Sequence, residues 1–373
     1  MKNEIAQAFL MEVLQSSEAE VFENNRRYFQ NMARYKYDQY QQFAPGMRFI
    51  ERFALWLKQF DIEDREPIFN FVRNRLVFVS NEEMNMLVAS CFPDLIKKIL
   101  TDAVANKLGI PKYNISKITS SKEYETLVKQ SLFFGLSDGA RTDVFRRANS
   151  GVISHEQIYQ TYELSRERAR KMQTDFLQKE LVKLHGQDFD PVLGKFRTII
   201  LLDDFSASGT SYLKEKNDGE LRGKIAQLYS GIFKSSEESL KQIFDVQNLD
   251  IHVILYMCTS QAFKQIEGVF EKLYDKYKNK PTLHCMHLIP DSFKLDSSKE
   301  KDIYDLCMKP QYYDPGIEDE HTGNSIQLGF ASCSLPLVLS HNCPNNSLSM
   351  LWSYDHLQKF VGLFPRIPRH RVL

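Results

Sequence analysis

The first third of the chain places apolar residues at the spacing of amphipathic helices. Three segments show this pattern: Glu4–Phe22, Met47–Phe60 and the stretch that begins at Ser80. Ser80 and Glu83 form a capping-box pair at the start of the third segment, and Gly109 is a typical helix end. Pro93 lies inside that segment and predicts a kink. We therefore expect an all-helical module over residues 1–120.

From about residue 125 short apolar runs alternate with helical stretches, which is typical of a mostly parallel α/β sheet. The strand candidates are Ser131–Phe134, Thr198–Leu202, Ile251–Cys258, Leu283–Ile289 and Leu335–Ser340. The longest helix candidate runs from Ser154 to His185; Ser154 and Gln157 form its capping-box pair, and Gly186 is its stop. The pattern predicts an α/β domain over residues 121–373, with a mostly parallel sheet flanked by helices.

Composition and charge exclude several classes of protein. The chain has 48 Lys and Arg residues against 48 Asp and Glu residues, which argues against a polybasic nucleic-acid coat or membrane-binding surface. No apolar run approaches the ~20 residues of a membrane span, and the N-terminal segment lacks the apolar core of a signal peptide. Six cysteines occur without a CxxC pair, so reduced thiols in the cytoplasm are expected.

The segment Thr198–Ser211 carries the clearest chemistry. A run suited to a buried strand ends in two adjacent carboxylates, Asp203 and Asp204, and small or hydroxylated residues follow. Ligands of open α/β sheets bind beyond the carboxyl ends of such strands. Sugar hydroxyls, a cation or a basic side chain would satisfy the two carboxylates, and the small residues let backbone N–H groups approach a phosphate. Together these features indicate a ribose 5-phosphate; the alternative is a strand end with a turn that caps a helix.

The same segment resembles the phosphoribosyl pyrophosphate signature of class I phosphoribosyltransferases, in which a hydrophobic strand leads to an acidic pair and a Thr/Gly-rich loop. The resemblance implies a phosphoribosyltransferase-like fold with Mg²⁺, in which Asp203 and Asp204 are the catalytic carboxylates that hold the ribose hydroxyls. The implied cradle for the 5′-phosphate is Ser206, Ala207, Ser208, Gly209, Thr210 and Ser211. Ala207 and Ser208 stand where Thr is usual, and Ala207 lacks the hydroxyl that a Thr would provide.

A second resemblance rests on three segments in one order. They are Gly135–Arg141, Asp203–Ser211 and His341–Ser347, and together they look like predicted phosphoribosyltransferase-like proteins of bacterial conflict systems. Some of these are encoded beside retron reverse transcriptases, so the resemblance implies an antiviral effector that acts on nucleotides or nucleic acid. The implied pyrophosphate-binding loop contains Ser137, Asp138, Gly139 and Arg141. A turn with a surface salt bridge is an equal alternative for that loop.

Base recognition has weaker candidates. Phe293 follows a strand in a segment similar to the purine-binding turn of hypoxanthine-guanine phosphoribosyltransferases, where an aromatic ring stacks on the base. His341 and Asn342 follow another strand and offer polar groups for a base or a sugar. A core aromatic residue and an ordinary turn are the respective alternatives.

The leading hypothesis is a domain that binds phosphoribosyl pyrophosphate or a nucleotide; whether it is an enzyme stays open. The rival is a non-catalytic scaffold or sensor whose helical module docks a reverse transcriptase, its RNA or DNA product, or further copies of the chain. Basic and aromatic residues that interleave from Arg26 to Tyr37 suit stacking on single-stranded nucleic acid. A plain amphipathic helix also explains them and is the preferred interpretation. No membrane partner is expected.

Overall fold

The fold was obtained as a computed structural model that describes residues 3–15, 19–215, 220–233, 240–318, 325–354 and 359–367. The α-helices are α1 Asn3–Leu14, α2 Ala19–Tyr35, α3 Phe49–Leu57, α4 Ile62–Asn74, α5 Asn81–Ser90, α6 Lys97–Leu108, α7 Ile115–Thr119, α8 Lys122–Lys129, α9 Thr142–Ala148, α10 Arg166–Lys171, α11 Gln178–His185, α12 Lys224–Phe233, α13 Ser260–Tyr277, α14 Lys301–Met308 and α15 Ser349–Trp352. The strands are β1 Val77–Val79, β2 Ser131–Gly135, β3 Ile158–Tyr159, β4 Thr198–Ser206, β5 Lys214–Glu215, β6 Leu221–Arg222, β7 Asp250–Thr259, β8 Thr282–Ile289 and β9 Leu337–Leu339.

The chain forms two compact units. Unit 1 consists of Met1–Glu83 and Pro290–Leu373, and unit 2 is the continuous stretch Met84–Ile289. This division differs from the expected boundary at residue 120, because the C-terminal segment joins the N-terminal helices in unit 1. Each unit has a hydrophobic core of its own.

Unit 2 contains a five-stranded sheet in which every neighbouring pair is parallel. The strand order is β3-β2-β4-β7-β8. In chain order β2 is the first strand of this sheet, and it lies between β3 and β4. The direction of winding therefore reverses between β2 and β4. The central strand β4 is buried on both faces over Thr198–Leu202, as its apolar run predicts, and helices flank the sheet. The predicted α/β class with a mostly parallel sheet is confirmed.

The helix that begins after Ser80 matches its prediction closely. Ser80 Oγ accepts from the Glu83 N–H at 3.2 Å, and Glu83 Oε2 accepts from the Ser80 N–H at 2.8 Å, so the capping box is formed. A π-helical segment, Cys91–Ile96, contains Pro93 and joins α5 to α6. Gly109 ends α6 in the left-handed conformation, with φ of 64°.

The predicted helix from Ser154 to His185 is wrong in its first third. The Ser154–Gln157 capping box forms, but it closes a 3₁₀ turn rather than an α-helix. The buried Gln157 amide donates to Val128 O at 2.6 Å and to Ser131 O at 2.8 Å, and the chain then enters β3. The helical stretch begins only after Ser165, which caps α10, and a π-helical segment joins α10 to α11. Tertiary hydrogen bonds to the start of β2 thus override the local helix signal.

Unit 1 packs its N-terminal helices around an aromatic core that includes Phe49, Phe53 and Phe364. Its strands β1 and β9 pair in parallel as a separate two-stranded sheet. The prediction that Leu335–Ser340 is a strand of the main sheet is therefore wrong, although the segment does contain a strand. The apolar run signalled burial correctly, but it held no information about the pairing partner.

The basic and aromatic stretch from Arg26 to Tyr37 lies mainly in α2. Its Phe29 and Tyr37 are buried in the core of unit 1, at 1% and 0% exposure, so these rings are not available to stack on bases. Arg26 and Arg27 lie on the exposed face of α2. The amphipathic-helix interpretation therefore describes this segment better. Among the described residues, no helix is both long and apolar enough to cross a membrane.

Candidate functional site

Two of the segments singled out in the sequence meet at one edge of the unit 2 sheet. The residues Ser137–Arg141 follow β2, and Asp203–Ser211 form the end of β4 and the loop beyond it. Because β2 and β4 are parallel neighbours, with Gly135 paired to Leu202, both segments leave the sheet at its carboxyl edge. The reversal of winding also falls between these strands, and such a reversal opens a crevice where ligands of doubly wound sheets bind.

Asp203 is buried inside this edge, with 3% of its surface exposed. Its Oδ1 accepts hydrogen bonds from the Ser137 hydroxyl and from the Asp204 N–H, the latter at 3.1 Å. Its Oδ2 lies 4.0 Å from Lys224 Nζ. Burial, followed by the nearby Asp204 charge, raises the pKa of Asp203 to about 7, against the opposing effects of Lys224 and Ser137. The Asp203 carboxylate is therefore held in place by hydrogen bonds and a lysine of the protein itself.

Asp204 lies on the opposite side of β4, as consecutive strand residues must. It is half-buried, and its carboxylate sits over Gly139 of the loop that follows β2. A Cβ atom at Gly139 would come within 2.5 Å of the carboxyl carbon of Asp204. Only a residue without a side chain therefore allows the loop and this carboxylate to approach so closely.

The loop after β2 is held from two sides. Tyr256 of β7 donates its hydroxyl hydrogen to Ala140 O at 2.8 Å. Arg141 adopts a left-handed conformation with φ of 48°, which is uncommon for a residue with a side chain. Its Nη1 donates to Asn85 Oδ1 at 2.9 Å. Asp138 is exposed in the same loop, so the loop carries both a carboxylate and a guanidinium.

The loop after β4 lies against the N-terminus of α13. Thr259 caps α13 by accepting from the Ala262 N–H at 3.0 Å, and its hydroxyl donates to Ala207 O at 2.6 Å. Gly209 has φ of 77°, and a Cβ atom there would lie 2.8 Å from Ala262 O. Within the described residues, none of the backbone N–H groups from Ala207 to Ser211 donates to a backbone carbonyl. Such a compact loop of small residues can offer these donors to an anion.

The hydroxyls of this second loop differ in exposure. Ser206 and Ser208 are buried, Thr210 is half-buried and Ser211 is exposed. Ser208 and Thr210 share a hydrogen bond between their hydroxyl oxygens at 3.1 Å. The loop therefore keeps hydroxyl groups close together despite the alanine at position 207.

Lys224 and Tyr212 belong to the site, but they were not identified as site residues from the sequence. Tyr212 is buried, and its hydroxyl donates to Phe205 O at 3.3 Å beside Asp203. Lys224 is the first residue of α12, and Gly223 with φ of 116° brings it close to the Tyr212 backbone. No local pattern marks this lysine, and only the fold shows that it faces a carboxylate 21 positions earlier.

The three candidates for base recognition lie in unit 1, not in the unit that holds the acidic pair. Phe293 is half-buried, and its carbonyl accepts from Arg75 Nη2 at 3.2 Å. The Gln42 amide donates to His341 O and to Asn342 Oδ1, both at 3.0 Å. These contacts give the three residues a structural role within unit 1. Their role in base binding stays a prediction.

The donor set at the acidic pair suits a hard cation. It consists of carboxylate and hydroxyl oxygens, which are the ligands that Mg²⁺ prefers. The Lys224 ammonium faces one of these carboxylates, with its Nζ 4.0 Å from Asp203 Oδ2. In the described part of the chain no cluster of three or more His, Cys, Asp or Glu side chains is arranged to bind a metal ion by itself. A cation here would need oxygen ligands from a bound molecule as well.

Comparison with protein families gives one match. The family model PRTase-CE matches residues 53–366, which include the whole of the site described above. No curated protein and no solved structure matches the chain. On the extent of the family match, the chain belongs to the phosphoribosyltransferase-like family PRTase-CE.

Proposed function

We propose that unit 2 binds phosphoribosyl pyrophosphate or a nucleotide at the carboxyl ends of β2 and β4. The observation that carries this proposal is the meeting of Asp203 and Asp204 with two loops of small residues at the point where the winding of the sheet reverses. Membership of a phosphoribosyltransferase-like family supports the same ligand class.

Each part of the site has a role in this proposal. The carboxylate of Asp204 accepts hydrogen bonds from ribose hydroxyls, and the loop Ser206–Ser211 surrounds the 5′-phosphate with backbone N–H groups and hydroxyls. In this proposal the loop Ser137–Arg141 binds the pyrophosphate of phosphoribosyl pyrophosphate, and Arg141 provides a guanidinium for its oxygens. Oxygen atoms of the acidic pair and of the ligand would hold Mg²⁺, which neutralises phosphate charge when bound.

If the site is catalytic, the reaction is a displacement at C1 of the ribose. The bond from C1 to the leaving oxygen or nitrogen breaks with its electron pair, and a nucleophile forms the new bond at C1. Positive charge develops on the sugar in the transition state, and the carboxylates near its hydroxyls stabilise that charge.

We further propose that the protein acts as an effector of a bacterial antiviral system of the retron type. The support is the resemblance of the segments Gly135–Arg141, Asp203–Ser211 and His341–Ser347 to phosphoribosyltransferase-like proteins of such systems. In this proposal the partner is a reverse transcriptase with its RNA or DNA product, and the chain assembles with further copies of itself. Binding of a ribose phosphate compound by unit 2 is the first requirement of this role.

Titration calorimetry tests the binding proposal. We expect wild-type protein to bind phosphoribosyl pyrophosphate or a nucleoside 5′-monophosphate in the presence of Mg²⁺, and Asp203→Asn/Asp204→Asn to show no binding. Asp250→Asn is the matched control, because Asp250 is an exposed carboxylate at the opposite end of the same sheet. Circular dichroism verifies that all variants are folded. Folded wild-type protein that binds none of these compounds would refute the proposal.

A further inference from the structure

The two carboxylates of the acidic pair occupy different environments. Asp203 is 3% exposed and accepts two hydrogen bonds through Oδ1, whereas Asp204 is half-buried at the surface of the crevice. Consecutive residues of a strand point to opposite faces, so both cannot present themselves to one ligand in the same way. Leu201, two residues before Asp203, lies in the hydrophobic core that helices cover, and Asp203 continues that face.

The groups around Asp203 come from four separate parts of unit 2, one of which is the loop after β4 with the Tyr212 hydroxyl. Ser137 belongs to the loop after β2, the Asp204 N–H belongs to β4 itself, and Lys224 begins α12. The Tyr212 backbone carbonyl accepts from the Ile225 N–H at 3.2 Å, which attaches the start of α12 to the loop after β4. Asp203 therefore connects the proposed pyrophosphate loop, the strand and α12 through one buried carboxylate.

We propose that the two residues of the acidic pair have different roles. Asp203 is a positioning residue held by Ser137 and Lys224, and Asp204 is the carboxylate that contacts the ribose. This inference rests on the proposed function for its ligand, but not for the contacts of Asp203. Lys224 acts through Asp203, because its ammonium balances a carboxylate that would otherwise be buried without a nearby positive charge.

Asparagine substitutions distinguish the two carboxylates. The Oδ1 atom of an asparagine at position 203 can still accept from Ser137 and from the Asp204 N–H, so these bonds survive. We expect Asp203→Asn to weaken the binding of phosphoribosyl pyrophosphate by a smaller factor than Asp204→Asn does, because the contacts of Asp203 to the protein are kept. Asp204→Asn removes a charged acceptor of the ribose hydroxyls, so we expect the affinity to fall at least about tenfold. Calorimetry with phosphoribosyl pyrophosphate and Mg²⁺ measures both.

The role of Lys224 is tested by asking whether Asp203→Asn restores the properties lost in a Lys224 variant. We expect Lys224→Met to weaken ligand binding and to lower the urea midpoint of unfolding, because it leaves the Asp203 carboxylate without its cation. Adding Asp203→Asn to that variant removes the uncompensated charge, and we expect both quantities to return close to those of Asp203→Asn alone. Lys224→Arg keeps the charge and should preserve binding better than Lys224→Met.

Two results would overturn the inference. One is a folded Asp203→Asn that loses affinity at least tenfold while Asp204→Asn binds like wild type. The other is additive effects of Lys224→Met and Asp203→Asn on the urea midpoint, since independent residues add and coupled residues do not. The urea measurement needs no ligand. If wild-type protein fails to bind any ribose phosphate compound, the proposed function fails and the coupling in urea still decides whether Asp203 and Lys224 position the loops.

Discussion

At the scale of the residue, the site depends on where a side chain is absent as much as on where one is present. Gly139 lets the loop after β2 pass directly beside the Asp204 carboxylate, and Gly209 lets the second loop lie against α13. The sequence identified both glycines as suited to an anion site. Their actual neighbours, Asp204 and Ala262, lie 65 and 53 positions away along the chain, so no local pattern could name them.

We expect Gly139→Ala to weaken the binding of phosphoribosyl pyrophosphate about tenfold, because the new methyl group displaces the Asp204 carboxylate. Calorimetry measures the affinity. Gly151→Ala is the matched control, since nothing lies within 4 Å of a Cβ atom at Gly151 in the same unit. Unchanged affinity in folded Gly139→Ala would show that the position of Asp204 does not govern binding.

At the scale of the element, strands β7 and β8 carry a pair of histidines away from the site. His252 Nδ1 and His284 Nε2 are 3.1 Å apart, and both rings are at least half-buried. Burial and then the neighbouring His284 lower the pKa of His252 to about 4, and burial also lowers the pKa of His284. His284 and His287 are three positions apart in β8, so they point to opposite faces of the strand, and His287 is exposed. The partnership with His252 required the pairing of the two strands.

The folded state disfavours the proton on His252, so the unfolded chain binds more protons between pH 6.5 and 4. The contribution of this residue to stability is therefore complete above pH 6.5 and is lost as the pH falls toward 4. For His252 alone we expect the free energy of unfolding to decrease by about 1.4 kcal/mol between pH 7.5 and 5.5. Urea unfolding at several pH values measures this slope. His252→Gln should flatten it, whereas His287→Gln should leave it unchanged; equal slopes in all three proteins would contradict the assignment.

At the scale of the whole molecule, the N-terminal helices and the C-terminal segment form one core. Trp56 Nε1 donates to Met350 O at 3.0 Å, and the Tyr40 hydroxyl donates to Phe364 O at 3.0 Å. Residues 1–120 therefore do not form a separate module in this structure, since the interior of unit 1 is completed by residues after 290. Both tryptophans, Trp56 and Trp352, are buried in this unit.

We expect Phe364→Ala to destabilise unit 1 by about 3–5 kcal/mol, because it removes a fully buried ring from an aromatic cluster. Tryptophan fluorescence during urea unfolding reports on this unit, since it contains both tryptophans. Tyr113→Ala is the control, because Tyr113 is 81% exposed and its removal creates no cavity. A fluorescence transition at the wild-type urea concentration would contradict a core shared by the two ends of the chain.

The sequence by itself determined four of the five strands of the unit 2 sheet to within a few residues, the acidic end of β4 and the phosphoribosyltransferase-like family. These features depend on residues that are close along the chain, and apolar runs, capping pairs and small-residue loops report on exactly such local preferences. The tertiary structure alone decided that β9 pairs with β1, that Gln157 opens a strand rather than a helix, and that Lys224 faces Asp203. Periodicity shows that a side chain is buried, but its partner is chosen by packing between distant segments.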